Sequence, residues 1–155
     1  MSSTSNLPRD DGSARHRVFT TIELAYLAAQ RLGRLATAQS DGTLQNSPVG
    51  FNVNTISGTI DIYGFRLAKS QKYRNVADNG RAAFVVDDIA SIEPWRVRCL
   101  EIRGDAEATE IDGHPLIRLH PRHVISFGLD EDVEAHDMKV HSRKVGDYSR
   151  RMSGS

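Results

Sequence analysis

A chain of 155 residues with 39% apolar side chains and a mean hydropathy of −0.43 has the composition of one soluble globular domain, not of a disordered or membrane-spanning polypeptide. Its 20 Lys+Arg against 20 Asp+Glu leave no global field to draw in nucleic acid or an anionic membrane, and no apolar run reaches the roughly 18 residues of a membrane span. The single cysteine, Cys99, excludes an internal disulfide and makes a reducing cytoplasm the expected setting.

Residues 1–17 are polar and have no apolar run, so they are expected to form a disordered leader and not a secretory signal. The folded body is expected over 18–129. Residues 130–155 form a charged tail, with an acidic block from Asp130 to Asp137 and a basic one from Lys139 to Arg151. A solvated tail fits that composition better than a short docking helix does.

The body opens with Thr20 and Glu23 in capping-box spacing, which predicts a helix running up to Gly33. The period then falls to two. Arg34–Gln39 reads as a strand, Ser40–Thr43 as a hairpin turn around Asp41-Gly42, Leu44–Asn54 as the return strand and Thr59–Tyr63 as the next. Ser70 as N-cap and Asn79-Gly80 as stop predict a second helix over Gln71–Asp78. Arg81–Asp88 is apolar on both faces and suits a central strand, Val97–Ala108 alternates, and Pro115–Phe127 follows an Asp112-Gly113 turn with an interruption at Pro121. Six strands with few helices argue for a small antiparallel barrel.

One segment asks for a ligand. Phe65 to Arg81 carries Arg66, Lys69, Lys72, Arg74 and Arg81 against Asp78 alone, although a helix N-terminus favours acids. Cations beside free N–H donors make sense if an external anion sits there, and phosphate is the usual guest. The competing reading is a solvated basic face. A second cluster, Pro94-Trp95-Arg96-Val97-Arg98, holds the chain's one Trp between charges. It suits either an aromatic ligand or interface, or a rim Trp shielding the core. His114, His120 and His123 lack metal-ligand spacing, Cys99 reads as a buried inert thiol, and hydrolase, P-loop and dinucleotide motifs do not occur.

Taken in order, Glu23–Leu27, Arg31–Thr37, Ser47–Phe51, Gly58–Ile62, Ser70–Val76, Ala83–Asp88, Pro94–Arg98, Ile102–Gly104 and Pro121–Leu129 resemble the pyridoxamine 5′-phosphate oxidase-like superfamily. More narrowly, they are similar to its F-420-dependent branch, the flavin/deazaflavin oxidoreductases of type B. The resemblance implies a mainly β fold: an FMN-binding split barrel of six antiparallel strands with two or three short helices, assembled as a homodimer with shared cofactor sites. It implies coenzyme F-420 as cofactor, or else FMN. Its phosphate would lie at Ser70, Gln71, Lys72 and Arg74, and its ring along Ser47, Pro48 and Val49 near Tyr63 and Gly64. Trp95, Arg96 and Arg98 would approach from the partner subunit.

Two departures bear on this. Gly64-Phe65-Arg66 stands where the family often has Gly-His-Asn, which leaves the choice of cofactor open, and Cys99 stands where Gly is common. The implied activity is hydride transfer to a small conjugated or quinone-like substrate. An FMN-dependent oxidase or reductase and a non-catalytic carrier are the alternatives. A nucleic-acid-binding barrel is disfavoured because no aromatic pair flanks the basic helix. No catalytic residue is assigned and no metal expected; Tyr63 is the one weak candidate for a proton donor.

Overall fold

The computed structural model describes residues 17–130 and 139–146, so the expectations for the leader before Arg17 and for most of the tail lie outside the described residues. Helix α1 spans Thr21–Ala29, and its capping box is present: Thr20 Oγ1 accepts from the Glu23 N–H while the Glu23 carboxylate accepts from the Thr20 N–H. The helix stops earlier than the spacing predicts. Gln30 is already extended, with φ −108° and ψ 148°, and Gly33 lies inside a strand. There its missing side chain makes room for Phe84, whose ring carbon would sit 2.1 Å from a Cβ.

The strands are β1 (Leu32–Ala38), β2 (Leu44–Gly50), β3 (Asn52–Asn54), β4 (Thr59–Ile62), β5 (Arg81–Ser91), β6 (Arg96–Ile111), β7 (His114–Phe127) and β8 (His141–Lys144). Their hydrogen-bonded order is β2-β1-β5-β6-β7-β4-β3, all neighbours antiparallel, with β8 added to β7. The expected strand Leu44–Asn54 is thus two strands. β2 pairs with β1 and β3 with β4, so the two ends of the sheet are joined covalently through Phe51, whose ring meets Phe84 edge-on at 5.2 Å. The chain closes the barrel at the point where the hydrogen-bond ladder splits. This break and the added β8 turn six expected strands into eight.

β7 is continuous through Pro121 because a bulge absorbs the proline. The register passes from Arg103↔His123 to Gly104↔Pro121, leaving Arg122 as the extra residue. Gly104 is required there, since a Cβ would lie 2.0 Å from the His120 carbonyl oxygen. β8 takes the edge of β7 at 123–126 that β4, pairing at 117–119, leaves open. Part of the segment expected to be a charged, solvated tail is an edge strand, three of whose four residues are exposed, tied down by Arg143, which reaches the carboxylate of Glu23 at 2.8 Å.

The inward faces of the strands build the core from Leu35, Phe84, Val86, Leu100, Ile102 and Val124, with Ile60, Ile62, Ile117 and Leu119 completing the far wall. α1 covers the end of the β5–β6 hairpin where Tyr26 reaches Asp88. Helix α2 (Gln71–Asn79) covers the other end, where Asn79 donates to the Ala38 carbonyl and the Gly80 carbonyl accepts from the Ala106 N–H. Among the described residues no helix is long and apolar enough to cross a membrane.

Candidate functional site

The start of α2 combines open donors with cations. Ser70 is the N-cap; its Oγ accepts from the Tyr73 N–H at 3.3 Å and donates to the Leu67 carbonyl at 2.6 Å. The N–H groups of Gln71 and Lys72 belong to the first turn, where a helix offers no internal acceptor. No acid stands in that turn. Gln71 and Arg74 are engaged: Gln71 donates to Asn75 at 2.7 Å, and Arg74 donates to Gln71 at 2.9 Å and to the Lys69 carbonyl at 3.0 Å. Lys72 is half-buried, and it, Lys69 and Arg66 have no carboxylate partner among the described residues. Arg66 instead lies over the Phe65 ring at 5.2 Å. The helix start thus gathers backbone donors and cations, of which Lys72 is half-buried and has no carboxylate partner among the described residues.

β2 leads away from this point. Gln45 lies 3.5 Å from the Asn75 amide, and Asn75, buried in α2, also donates to Thr37 at 3.1 Å. Two residues on, the Ser47 hydroxyl is buried with no hydrogen-bond partner. Such an atom calls for a donor or acceptor that the described chain does not supply. Ser47 and Val49 share the inner face with Leu35 and Gly33, whereas Pro48 is exposed on the outer face opposite Arg34. The three therefore do not present side chains to one ligand. What they share is the backbone edge of β2, which among the described residues pairs with β1 alone.

β2 ends at a cleft of about 800 Å³. One wall is α1 with Leu24, Leu27 and Ala28, continued by Gln30 and Arg31 just past its end; the other is the β2–β3 bend at Gly50–Val53, with Tyr63 beside it. Tyr63 thus lines a cavity, and Gly64 begins the turn that carries the chain from it to Ser70. Nothing in the sequence marks the other cleft residues, because the cleft exists by virtue of the bend at Phe51, which periodicity reads as continuous strand.

Trp95, Arg96 and Arg98 lie elsewhere. β5 has eleven residues from Arg81, just past the end of α2, to Ser91, opposite Arg96, and its ten steps span roughly 34 Å at about 3.4 Å each. Within one chain, the structure does not bring these residues to the start of α2. Trp95 is 59% exposed, and Arg96 donates to the Asp130 carbonyl at 3.4 Å. Arg98, expected to approach the cofactor from the partner subunit, is engaged within its own chain. It grips Asp88 through two hydrogen bonds and lies over the Tyr26 ring at 5.1 Å, while the Tyr26 hydroxyl donates to the same carboxylate at 2.9 Å. Hydrogen bonds from Arg98 hold the Asp88 carboxyl below the usual range, and burial together with Asp88 pushes the Tyr26 phenol well above it.

The β7 bulge turns His120 and His123 to the same face, yet each has its own partner: Glu107 at 3.1 Å and Ser142 at 2.6 Å. Among the described residues no three His, Cys, Asp or Glu side chains converge as a metal site. Cys99 is half-buried on the outer face of β6, beside Asp87 and Glu101.

Residues 22–125 match the family model described as pyridoxamine 5′-phosphate oxidase. Over 135 residues the chain is 40% identical to the 5a,11a-dehydrotetracycline/5a,11a-dehydrooxytetracycline reductase of Streptomyces rimosus subsp. rimosus, covering 82% of this chain and 93% of that protein. Among solved structures, a heme binding protein from Mycobacterium smegmatis aligns with TM-score 0.58 and 18% identity over 76% of this chain. The chain spans about half of that protein, 54% of its length. An FAD binding protein from the same organism aligns with TM-score 0.54 and 16% identity, over 81% of this chain and 98% of its own. At these identities the two structures speak for the fold alone.

Proposed function

This chain belongs to the pyridoxamine 5′-phosphate oxidase family, and from that premise we propose that it is an oxidoreductase drawing hydride from coenzyme F-420 and passing it to a small conjugated or quinone-like acceptor. The observation that carries the cofactor site is the half-buried Lys72, without a carboxylate partner among the described residues, beside the N–H groups of Gln71 and Lys72 in the first turn of α2. The orphaned Ser47 hydroxyl on β2 supplies an independent reason to place a polar ligand there. Lys72 and the two N–H groups would hold the phosphate, with Ser70 keeping the helix end in shape; the β2 edge from Ser47 to Val49 would hold the ring.

When bound, a reduced deazaflavin or flavin supplies the hydride and is itself oxidised. The chain's part is to fix the phosphate, shield one side of the ring and deliver a proton to the reduced acceptor, for which Tyr63 at the cleft is the available hydroxyl. An acceptor related to the multi-ring substrate named for the Streptomyces reductase fits this reading. FMN is the second reading, since the same donors would serve its phosphate; a carrier without turnover is the third.

A homodimer completes the site in this proposal. The outer faces of β1, β5 and β6 carry the half-buried Ala36, Ala83, Val85, Val97 and Cys99, interleaved with Arg34, Asp87, Glu101 and Arg103, and Trp95 and Arg96 would reach the start of α2 from a second copy alone.

The test is a titration of the purified protein with F-420 and with FMN. Tight F-420 binding with weak FMN binding supports the first reading, and the reverse supports the second. Lys72→Ala is expected to weaken the preferred cofactor by about tenfold to a hundredfold, the worth of one charge-assisted phosphate contact of roughly 1.5–3 kcal/mol, with an unchanged circular dichroism spectrum. Undiminished affinity in that variant overturns the site. Sedimentation at micromolar concentration checks the dimer, which a monomeric mass would exclude.

A further inference from the structure

We propose that the cleft between α1 and the β2–β3 bend binds the acceptor, and that it is built for a flat, multi-ring molecule carrying an anionic oxygen, which Arg31 receives. The inference rests on the oxidoreductase reading and adds the acceptor's site and chemical class.

Position comes first. β2 runs from Gln45, against α2, to Gly50, in the cleft wall, a span of roughly 17 Å at about 3.4 Å per residue. The phosphate end of the cofactor site and the cleft are thus joined by a single strand, and Tyr63-Gly64 joins them a second time through the turn to Ser70. Size comes next: about 800 Å³ falls within the roughly 300–1,000 Å³ of small-molecule sites, which is room for several fused rings.

The chemistry of the walls narrows the guest. Leu24, Leu27, Phe51 and Val53, which belong to or pack against the core cluster where α1 meets the β2–β3 bend, give the cleft an apolar floor on which the face of a flat molecule can lie. Among the described residues no Asp or Glu lines it. Arg31 is its one cationic lining residue, exposed and with no ion pair or hydrogen bond among the described residues; the side chains of Asn52, Thr55 and Tyr63 are likewise uncommitted. Half-buried arginines elsewhere in the fold are held by carboxylates, Arg98 by Asp88 and Arg118 by Asp61; among the described residues Arg31, like Arg66, has none, and Arg31 is the one that lines this cleft. An enolate or carboxylate on the edge of a planar ring system matches all of these features.

The test uses the full-length protein without cofactor, titrated calorimetrically with anthraquinone-2-carboxylate and with neutral 2-(hydroxymethyl)anthraquinone. Both should bind the wild type, the carboxylate more tightly. Arg31→Gln should weaken the carboxylate by about tenfold or more and the neutral probe by less than about twofold, with Arg31→Lys restoring most of the difference. Ala28→Trp, which projects an indole from the exposed face of α1 into the cleft, should abolish both. Equal weakening of the two probes by Arg31→Gln, or indifference to Ala28→Trp, overturns the proposal. If the probes behave as expected while neither F-420 nor FMN binds the wild type, the cofactor reading fails and the cleft stands. If a cofactor binds and neither probe does, the cleft fails and the cofactor reading stands.

Discussion

Arg66 adopts φ 56°, in the left-handed region that costs an ordinary L-residue roughly 1–2 kcal/mol. It sits at the end of Gly64-Phe65-Arg66, where the resembling family often has Asn, a residue that tolerates this conformation well. Arg66→Asn is therefore expected to raise stability by several tenths of a kcal/mol to about 1 kcal/mol, read as an upward shift of the urea midpoint. Cys99 makes a second residue-scale case. Burial first, then Asp87 and Glu101, push its thiol up to about 11, so thiolate is scarce at neutral pH. Alkylation of Cys99 at pH 8 should be on the order of a hundredfold slower than for free cysteine and should climb steadily as the pH is raised towards 11. A fast-reacting thiol at pH 8 would contradict this placement.

At the scale of elements, the joint between α1 and β8 is held by one pair of side chains. Glu23 is 2% exposed, caps α1 through Thr20, and receives the guanidinium of Arg143, which also donates to the Val18 carbonyl. Burial alone would raise the Glu23 carboxyl, but hydrogen bonds from Arg143 and Thr20 outweigh it and the net shift is downward. Removing the arginine would strand a buried carboxylate. Arg143→Ala is expected to cost about 3–5 kcal/mol and to free β8 for fast amide exchange, whereas Glu23→Gln with Arg143→Met should recover much of the loss. Because α1 is also a wall of the cleft, acceptor binding should weaken in Arg143→Ala before cofactor binding does.

For the molecule as a whole, acid is the natural stress. Asp61 is 4% exposed and takes two hydrogen bonds from Arg118 at 2.9 and 3.0 Å; burial raises its carboxyl, and Arg118, Thr59 and Asn54 more than reverse that. Asp61, Glu23 and Asp88 all have carboxyls lowered on folding. The stability they contribute is fully present above the unfolded value of about 4 and is lost as pH falls through their lower folded values. Urea midpoints should stay level from pH 7 to about 5 and then drop below about pH 4, and Asp61→Asn should flatten part of that drop. A midpoint that holds steady down to pH 2 would refute the role given to these pairs.

The sequence by itself determined what is local. The capping box at Thr20, the Ser70 cap and Gly80 stop of α2, and the turns at Asp41-Gly42 and Asp112-Gly113 could all be read from neighbouring residues, because each depends on contacts within a few positions. The same holds for the cations around Lys72, whose lack of an acid within the turn is visible in the chain. Tertiary structure alone decided the rest. Whether Arg98 is engaged depends on Asp88 in the neighbouring strand, whether 141–144 pairs as a strand depends on an edge of β7, and whether Leu44–Asn54 is one strand depends on which neighbours β2 and β3 find at opposite ends of the sheet. The acceptor cleft belongs to this second class. It is made by a helix lying across a bend, and pairing between distant segments, with the space it leaves open, is not written in the period of either one.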